Sequence, residues 1–309
     1  MDNENDVLLI SEEEEGERLD KVLAKRYREI QSRTYFQNLI EQNRVLLNGE
    51  PVKKRIKPKE GDEVQIQFLL TPEIDLEPEN IPLDIIYEDD DLLVINKPAG
   101  MVVHPAPGNW TGTFVNALLY HCQHVKEGQE NTLRPGIVHR LDKDTSGLLV
   151  AAKNALAHQR LVELFAGRKI QKEYLAICLG NPGTREIDAP IGRHPVNRKK
   201  MAVVEGGKKA LSICETIKAD AHLSLVKIFL MTGRTHQIRV HLKHAGASIL
   251  GDETYGNPQA NAKYGVTRQL LHAYRLAFEH PMTGKKLDFT VLPPPDMQKI
   301  MDKHGFQIG

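Results

Sequence analysis

Apolar residues recur along the first seventy positions with two periods. Leu19, Val22, Leu23, Tyr27 and Ile30 follow helical spacing. Phe36, Leu39 and Ile40 repeat it behind Ser32, a residue type that caps helices. Val45-Leu46-Leu47 and Pro51-Val52 flank Asn48-Gly49, a dipeptide suited to the positive φ angles of a type I′ hairpin. Gly61-Asp62 turns the chain, and Val64, Ile66 and Phe68 then alternate as in a half-buried strand. Residues 69–83 break the pattern with three prolines and no base, which reads as an extended linker.

From Leu83 the apolar runs lengthen. Ile85–Tyr87 and Leu92–Ile95 read as a strand pair around an acidic turn, where Asp89, Asp90 and Asp91 are expected to be solvated. Thr113–His121 predicts a short helix, and Val125–Arg134 a mobile surface loop. Asn154 caps a helix over 155–166 that Gly167 closes, with Leu156, Leu161, Leu164 and Phe165 inward. Strands are expected around Tyr174 (172–179) and at 223–231, 270–273 and 287–291. Residues 191–204 form a basic loop or hairpin carrying Arg193, His194, Arg198, Lys199 and Lys200. Thr235 and Gly246 bound a predicted helix with Ile238, Leu242 and Ala245 buried and Arg239 on another face. Pro293-Pro294-Pro295 precede a tail helix. The pattern is α+β, with no internal repeat. It divides into an acidic tail (1–15), a small module (16–70), a linker (71–82) and a large domain (83–309).

Charge changes the picture. The chain has 41 Lys+Arg and 41 Asp+Glu, but the signs are segregated. Residues 1–17 hold eight acids and no base, residues 18–59 twelve bases against four acids, and residues 60–92 twelve acids and no base. A basic module followed by a mildly basic domain suits a polyanion. No apolar run is long enough to span a bilayer, and the acidic start is the opposite of a signal or transit peptide. Cys122, Cys178 and Cys214 are scattered and odd in number, which suits a reducing cytoplasm.

The centre of the chain is G-I-V-H-R-L-D-K-D-T-S-G-L-L-V at 136–150. It sets Arg140 and Asp142 between two apolar runs. The histidines at 236, 241 and 244 lack metal-ligand spacing, and His236 reads as a hydrogen-bonding packing residue. There is no phosphate-binding GxxxxGK[ST], and Ser146 is not in a nucleophile elbow. What remains is one carboxylate beside a guanidinium, suited to nucleophilic or proton-transfer work on a sugar or base. Hydrolysis of a glycosidic bond normally uses a second carboxylic acid. Asp144 and Asp252 stay open for that part.

R-L-D-K-V-L at 18–23, S-R-T at 32–34, L-I-E-Q-N-R-V at 39–45, L-N-G at 47–49 and G-D-E-V at 61–64 resemble the small RNA-binding module named after ribosomal protein S4. The resemblance implies that Arg18, Lys21, Arg33, Arg44, Lys53, Lys54 and Arg55 meet structured RNA. H-R-L-D-K-D-T-S-G-L-L at 139–149, K-E-Y-L-A at 172–176 and G-R-T-H-Q-I-R-V-H at 233–241 resemble the central motifs of the RluA/RluD family of RNA pseudouridine synthases. N-K-P-A-G at 96–100, G-D-E-T-Y-G at 251–256 and L-L-H-A at 270–273 agree with it. The family implies a mixed, mostly antiparallel catalytic sheet and isomerisation of uridine without cofactor or metal. In it Asp142 would be the catalytic aspartate, attacking the sugar or taking a ribose proton. Arg140 would take the place of the flipped nucleotide. Tyr174 would stack under the uracil and is a candidate general base. Arg239 would pair with Asp142. The expected partner is large-subunit ribosomal RNA, bound by a cytoplasmic monomer. A ribosome-assembly factor without activity, a synthase acting on tRNA and a base-releasing RNA glycosidase are the rival readings.

Overall fold

The computed structural model describes residues 5–27, 33–53, 55–68, 76–105, 109–122, 125, 134–197 and 200–308. The chain forms two units, Met1–Asp75 and Leu76–Gly309.

In the small unit, α1 (Leu19–Arg26) and α2 (Arg33–Glu41) pack on an antiparallel sheet. Its strands are β1 (Asn5–Leu9), β2 (Val45–Leu47), β3 (Glu50–Pro51) and β4 (Glu63–Gln67), in the order β1-β4-β2-β3. Leu19, Val22 and Leu23 from α1 and Phe36, Leu39 and Ile40 from α2 meet Val45, Val64 and Ile66 in one core. Asn48 (φ 52°) and Gly49 (φ 82°) make the expected hairpin turn. The acidic tail is corrected from Asn5 onward. Residues 5–9 pair with β4, burying Leu8 and leaving Val7 and Leu9 outward. Val7–Ile10 is a continuous run of four apolar residues with no alternation to mark a strand, and eight acids surround it in the sequence. The expected cap Ser32 and the apolar Ile30 lie outside the described residues.

The linker is also shorter than expected. Residues 69–75 are outside the described set, but Leu76 is buried in the large unit. Asn116 Nδ2 donates to the Glu77 carbonyl at 2.9 Å and Glu79 N–H to the Asn116 carbonyl at 3.0 Å. These bonds tie residues 77–79 to α3 (Phe114–His121), the helix that carries Asn116.

The large unit is built on a nine-stranded sheet. Its first half holds β5 (Ile85–Glu88), β6 (Leu92–Lys97), β7 (Ser146–Ala152), β8 (Gln171–Leu179) and β9 (Arg185–Asp188). A separate hairpin, β10 (Ile191–Arg193) and β11 (Met201–Val203), precedes β12 (Leu211–Ala219) and β13 (Leu223–Leu230). β14 (Leu271–Glu279) and β15 (Lys286–Thr290) complete the sheet. The order is β5-β6-β7-β14-β8-β13-β12-β9, with β15 also on β14. Among the described residues, β7 and β14 are the only strands that pair in parallel. The sheet is thus mixed and mostly antiparallel, as the resemblance implied.

β7 is buried along its whole length, so it reads as a continuous apolar run rather than an alternating one. One face packs under α4 (Ala155–Ala166) through Ala157 and Leu161. The other lobe of the core sets Leu175, Ile177, Leu223 and Leu225 against Met297, Ile300 and Met301 of α7 (Pro295–Lys303). α5 (Gln237–His244) and α6 (Pro258–Tyr264) follow β13. Gly147, at φ 110°, allows β7 to reach β14: a Cβ there would stand 2.3 Å from the Ala273 carbonyl oxygen.

Several expectations fail locally. Leu156 is exposed, because α4 buries Ala157 and Leu161 instead. Val125, assigned to a mobile loop, is fully buried. Asp89 is not simply solvated. It accepts from Tyr87 Oη at 2.6 Å, from the Asp91 and Leu92 N–H groups at 2.9 Å and from His280 at 2.9 Å.

Candidate active site

A cleft of about 940 Å³ opens in the large unit. Arg140, Asp142, Tyr174 and Arg239 all line it, so the structure brings the four predicted residues together. Seven Lys/Arg side chains line the cleft against two carboxylates. Such a bias suits a phosphate-bearing ligand.

Asp142 starts the turn that leads into β7, with Thr145 N–H donating to its carbonyl at 3.1 Å. The next two carbonyls are held as well. Lys97 Nζ and Gly100 N–H reach Lys143 O at 3.0 and 2.9 Å, and Arg268 Nη1 reaches Asp144 O at 3.0 Å. Lys97 is fully buried and also donates to Pro98 O (2.8 Å) and Met101 O (2.9 Å). Burial pushes its pKa down to about 7. Three carbonyl acceptors stand where the three N–H bonds of an ammonium point. Lys143 and Asp144 therefore serve the turn through their backbones.

Arg239 is the hinge of the site's electrostatics. It sits in the first turn of α5 with its side chain 8 % exposed. Nη1 donates to Asp142 Oδ2 at 2.9 Å. Nε and Nη2 grip Asp252 Oδ2 and Oδ1 at 2.7 and 2.9 Å. The guanidinium also lies 5.1 Å from the Tyr255 ring centroid. Asp252 is fully buried and takes the Thr254 and Tyr255 N–H groups at 2.9 Å each. Burial raises a carboxyl, but Arg239 and these N–H groups outweigh it and hold Asp252 below the usual carboxylate range. Asp252 takes three hydrogen bonds on Oδ1 and the Arg239 Nε–H on Oδ2, so this ionised carboxylate is placed to orient Arg239 rather than to donate a proton. The sequence left it open as a partner acid; its G-D-E-T-Y-G turn was the available signal.

α5 begins differently from expectation. Thr235 does not cap it. The cap position is His236, at φ 55°, and no side chain caps it. Gln237 locks the entry instead, accepting from Thr232 Oγ1 (2.7 Å) and Arg234 N–H (3.0 Å). It also donates to Leu211 O at 2.9 Å and Ser212 Oγ at 3.0 Å. Ile238 and Leu242 are buried as predicted, while Ala245 is only half-buried.

Tyr174 is buried on β8, opposite Ala273 of β14. The register slips between Ala273 and Arg275, a bulge that breaks the ladder beside the tyrosine. Burial, with Asp142 nearby, raises the Tyr174 phenol well above its ordinary value. Arg140 is exposed at the cleft. His104 shares that wall, and burial beside Arg134 and Arg140 pushes it down to about 4.

Among the described residues, two acid-histidine groups lie elsewhere. At Asp89, Asp91 and His280, the histidine Nδ1 accepts the Met282 and Thr283 N–H groups. Its ring proton then sits on Nε2 and goes to Asp89, which leaves no lone pair for a metal. At Glu88, His121 and Cys122, the Lys153 ammonium occupies the Glu88 carboxylate at 2.7 Å.

In the small unit, Arg18 and Arg33 converge on the buried Asp20 carboxylate, each at 2.9 Å. Lys21, Lys53 and Arg55 are exposed. Arg44 is half-buried, with no partner for Nη1 among the described residues. Lys54, and Arg198 and Lys199 of the basic hairpin, lie outside the described residues.

The fold that carries this cleft is one that known proteins share. Residues 91–244 match the RNA pseudouridylate synthase family, and residues 17–64 match the S4 domain. An RNA pseudouridine synthase of Chlorobaculum parvum is 45 % identical over 306 residues, 93 % of each chain. A protein of Zymomonas mobilis named ribosomal large subunit pseudouridine synthase D is 45 % identical, covering 94 % of this chain and 95 % of its own. Among solved structures, human RNA pseudouridylate synthase domain containing 1 superposes with a TM-score of 0.57 at 26 % identity, over 71 % of this chain and 87 % of its own. The chain belongs to the RNA pseudouridylate synthase family.

Proposed function

We propose that this synthase isomerises uridines of large-subunit ribosomal RNA, with Asp142 as the catalytic carboxylate. The RNA target is supported by the named relatives and by the S4 module. The observation that carries the catalytic assignment is the Asp142–Arg239–Asp252 arrangement. It presents one carboxylate at the cleft and commits the other to holding the guanidinium.

The reaction breaks the bond from uracil N1 to ribose C1′ and forms one from C5 to C1′. The C5 hydrogen leaves as a proton, and N1 ends protonated. No base departs, so no second acid has to protonate a leaving group for release. Asp142 acts at the sugar, by attack at C1′ or by taking a ribose proton. Tyr174 takes the stacking part, because its raised phenol stays protonated at neutral pH and makes a poor base. Arg140, exposed on the cleft wall, fills the gap left by the flipped nucleotide. The small unit adds affinity through exposed bases such as Lys21, Lys53 and Arg55. The protein works as a cytoplasmic monomer with neither cofactor nor metal.

Incubation with rRNA and with tRNA, each carrying tritium at uridine C5, tests this reading. Tritium release from rRNA alone, with pseudouridine in the digest, is the expected result. Release from tRNA alone would move the target. Free uracil would indicate a glycosidase, and no release would leave an RNA-binding assembly factor.

A further inference from the structure

His236 has no part in the assignments above, yet it lines the cleft. Its φ of 55° places a non-glycine residue in the left-handed region, a conformation that persists where surroundings over-determine it. A chain of two contacts leads to the ring. Met201 N–H donates to Tyr255 Oη at 2.9 Å, and Tyr255 Oη lies 2.9 Å from His236 Nδ1. With Met201 already donating to it, the phenol satisfies both neighbours by giving its own proton to Nδ1. The neutral imidazole then carries its proton on Nε2. Burial keeps the ring neutral, lowering its pKa against the pull of Asp142.

Nε2 faces Asp142 Oδ1 at 4.0 Å. That is too long for a hydrogen bond and admits one intervening oxygen. Arg239 takes Oδ2, and among the described residues none donates to Oδ1. The gap calls for an oxygen that accepts from Nε2–H and donates to Oδ1, which a water can supply in the free site and a substrate hydroxyl in its place. Within a polynucleotide the ribose has one free hydroxyl, the 2′, both donor and acceptor.

We propose that His236 reads the ribose of the target uridine: the 2′-hydroxyl bridges His236 Nε2 and Asp142 Oδ1. The bridge sets Asp142 against the C1′–C2′ edge of the sugar and restricts the site to RNA. Tyr255 is a positioning residue that fixes the histidine tautomer. The inference rests on Asp142 being the catalytic carboxylate.

The test compares wild type, His236→Gln, His236→Leu and Tyr255→Phe in single-turnover tritium release from a large-subunit rRNA transcript. Gln places an amide N–H near the position of Nε2; Leu donates nothing. His236→Leu should slow the saturating rate about 10- to 100-fold, the worth of one well-placed hydrogen bond. Transcript affinity should change less than about threefold, because it is spread over many phosphates. Gln should recover the rate to within about fivefold of wild type. Nitrogen NMR of labelled histidine should find the wild-type proton on Nε2 and a tautomer mixture in Tyr255→Phe. A transcript made with 2′-fluorouridine, which cannot donate, should slow wild type by a larger factor than it slows His236→Leu. Equal rates for the Gln and Leu variants, a proton on Nδ1, or the same fluorine penalty in both enzymes overturns the proposal. Absence of release by wild type from the ordinary transcript would instead sink the functional reading itself.

Discussion

Replacing Asp252 by asparagine keeps the shape of the side chain and removes its charge. The asparagine Oδ1 still accepts the Thr254 and Tyr255 N–H groups, which Asp252 holds at 2.9 Å. The new amide Nδ2 then faces Arg239 Nε across a contact of 2.7 Å, donor against donor. Breaking one partner of a buried ion pair costs about 3–5 kcal/mol. Arg239 keeps Asp142 as a counter-charge, and Asp142 is 27 % exposed, which places the cost at the lower end, near ~3 kcal/mol. For a unit of this size that lowers Tm by roughly 6–12 °C. Chemistry should suffer beyond folding. An Arg239 freed from its clamp shifts toward Asp142, and displacement by an ångström costs about 100-fold.

Scanning calorimetry and single-turnover tritium release read the two effects. The pH dependence carries a sign. Asp252 is held below the usual carboxylate range, so its stabilisation is present above the unfolded value of about 4 and is lost as pH falls through the folded one. Asp252→Asn should therefore narrow its deficit as pH drops below about 4. A variant within about 2 °C of wild type, with an unchanged rate, would refute the clamp.

Other substitutions probe the surrounding frame. Lys97→Met leaves three carbonyls without their common donor and should cost about 3–5 kcal/mol in denaturant unfolding. Gly147→Ala sets a Cβ against the Ala273 carbonyl and should destabilise the large unit by roughly 2–4 kcal/mol, measured the same way. Changing Lys21, Lys53 and Arg55 together to alanine should flatten the salt dependence of rRNA binding by up to about one unit of slope per lost phosphate contact. The unimolecular rate at saturating RNA should stay unchanged.

Much of this fold was legible because its signals are local. Asn48-Gly49 and the 3.6-period runs of α1 and α2 need no tertiary context. β1 is hard to read from the sequence because only Leu8 and Ile10 bury its inner face, among many acids. Thr235 was mistaken for a cap because the true lock, Gln237 on Thr232, Leu211 and Ser212, joins the helix to another strand. The site divides the same way. The motifs single out Asp142, Arg140, Tyr174 and Arg239, which line one cleft. The clamp from Asp252 to Arg239 spans 13 positions through a buried turn, where an aspartate looks like turn chemistry. The part proposed for His236 has no local sequence signal, because the Met201–Tyr255–His236 chain of bonds joins segments far apart in the chain.

The central claim is that the Asp142 carboxylate drives the isomerisation. It is tested most directly by single-turnover tritium release from C5-labelled large-subunit rRNA with Asp142→Asn, alongside its RNA affinity. The account expects stoichiometric release by wild type and none by the variant, with affinity retained within about threefold. Release by Asp142→Asn at a rate near wild type would contradict it.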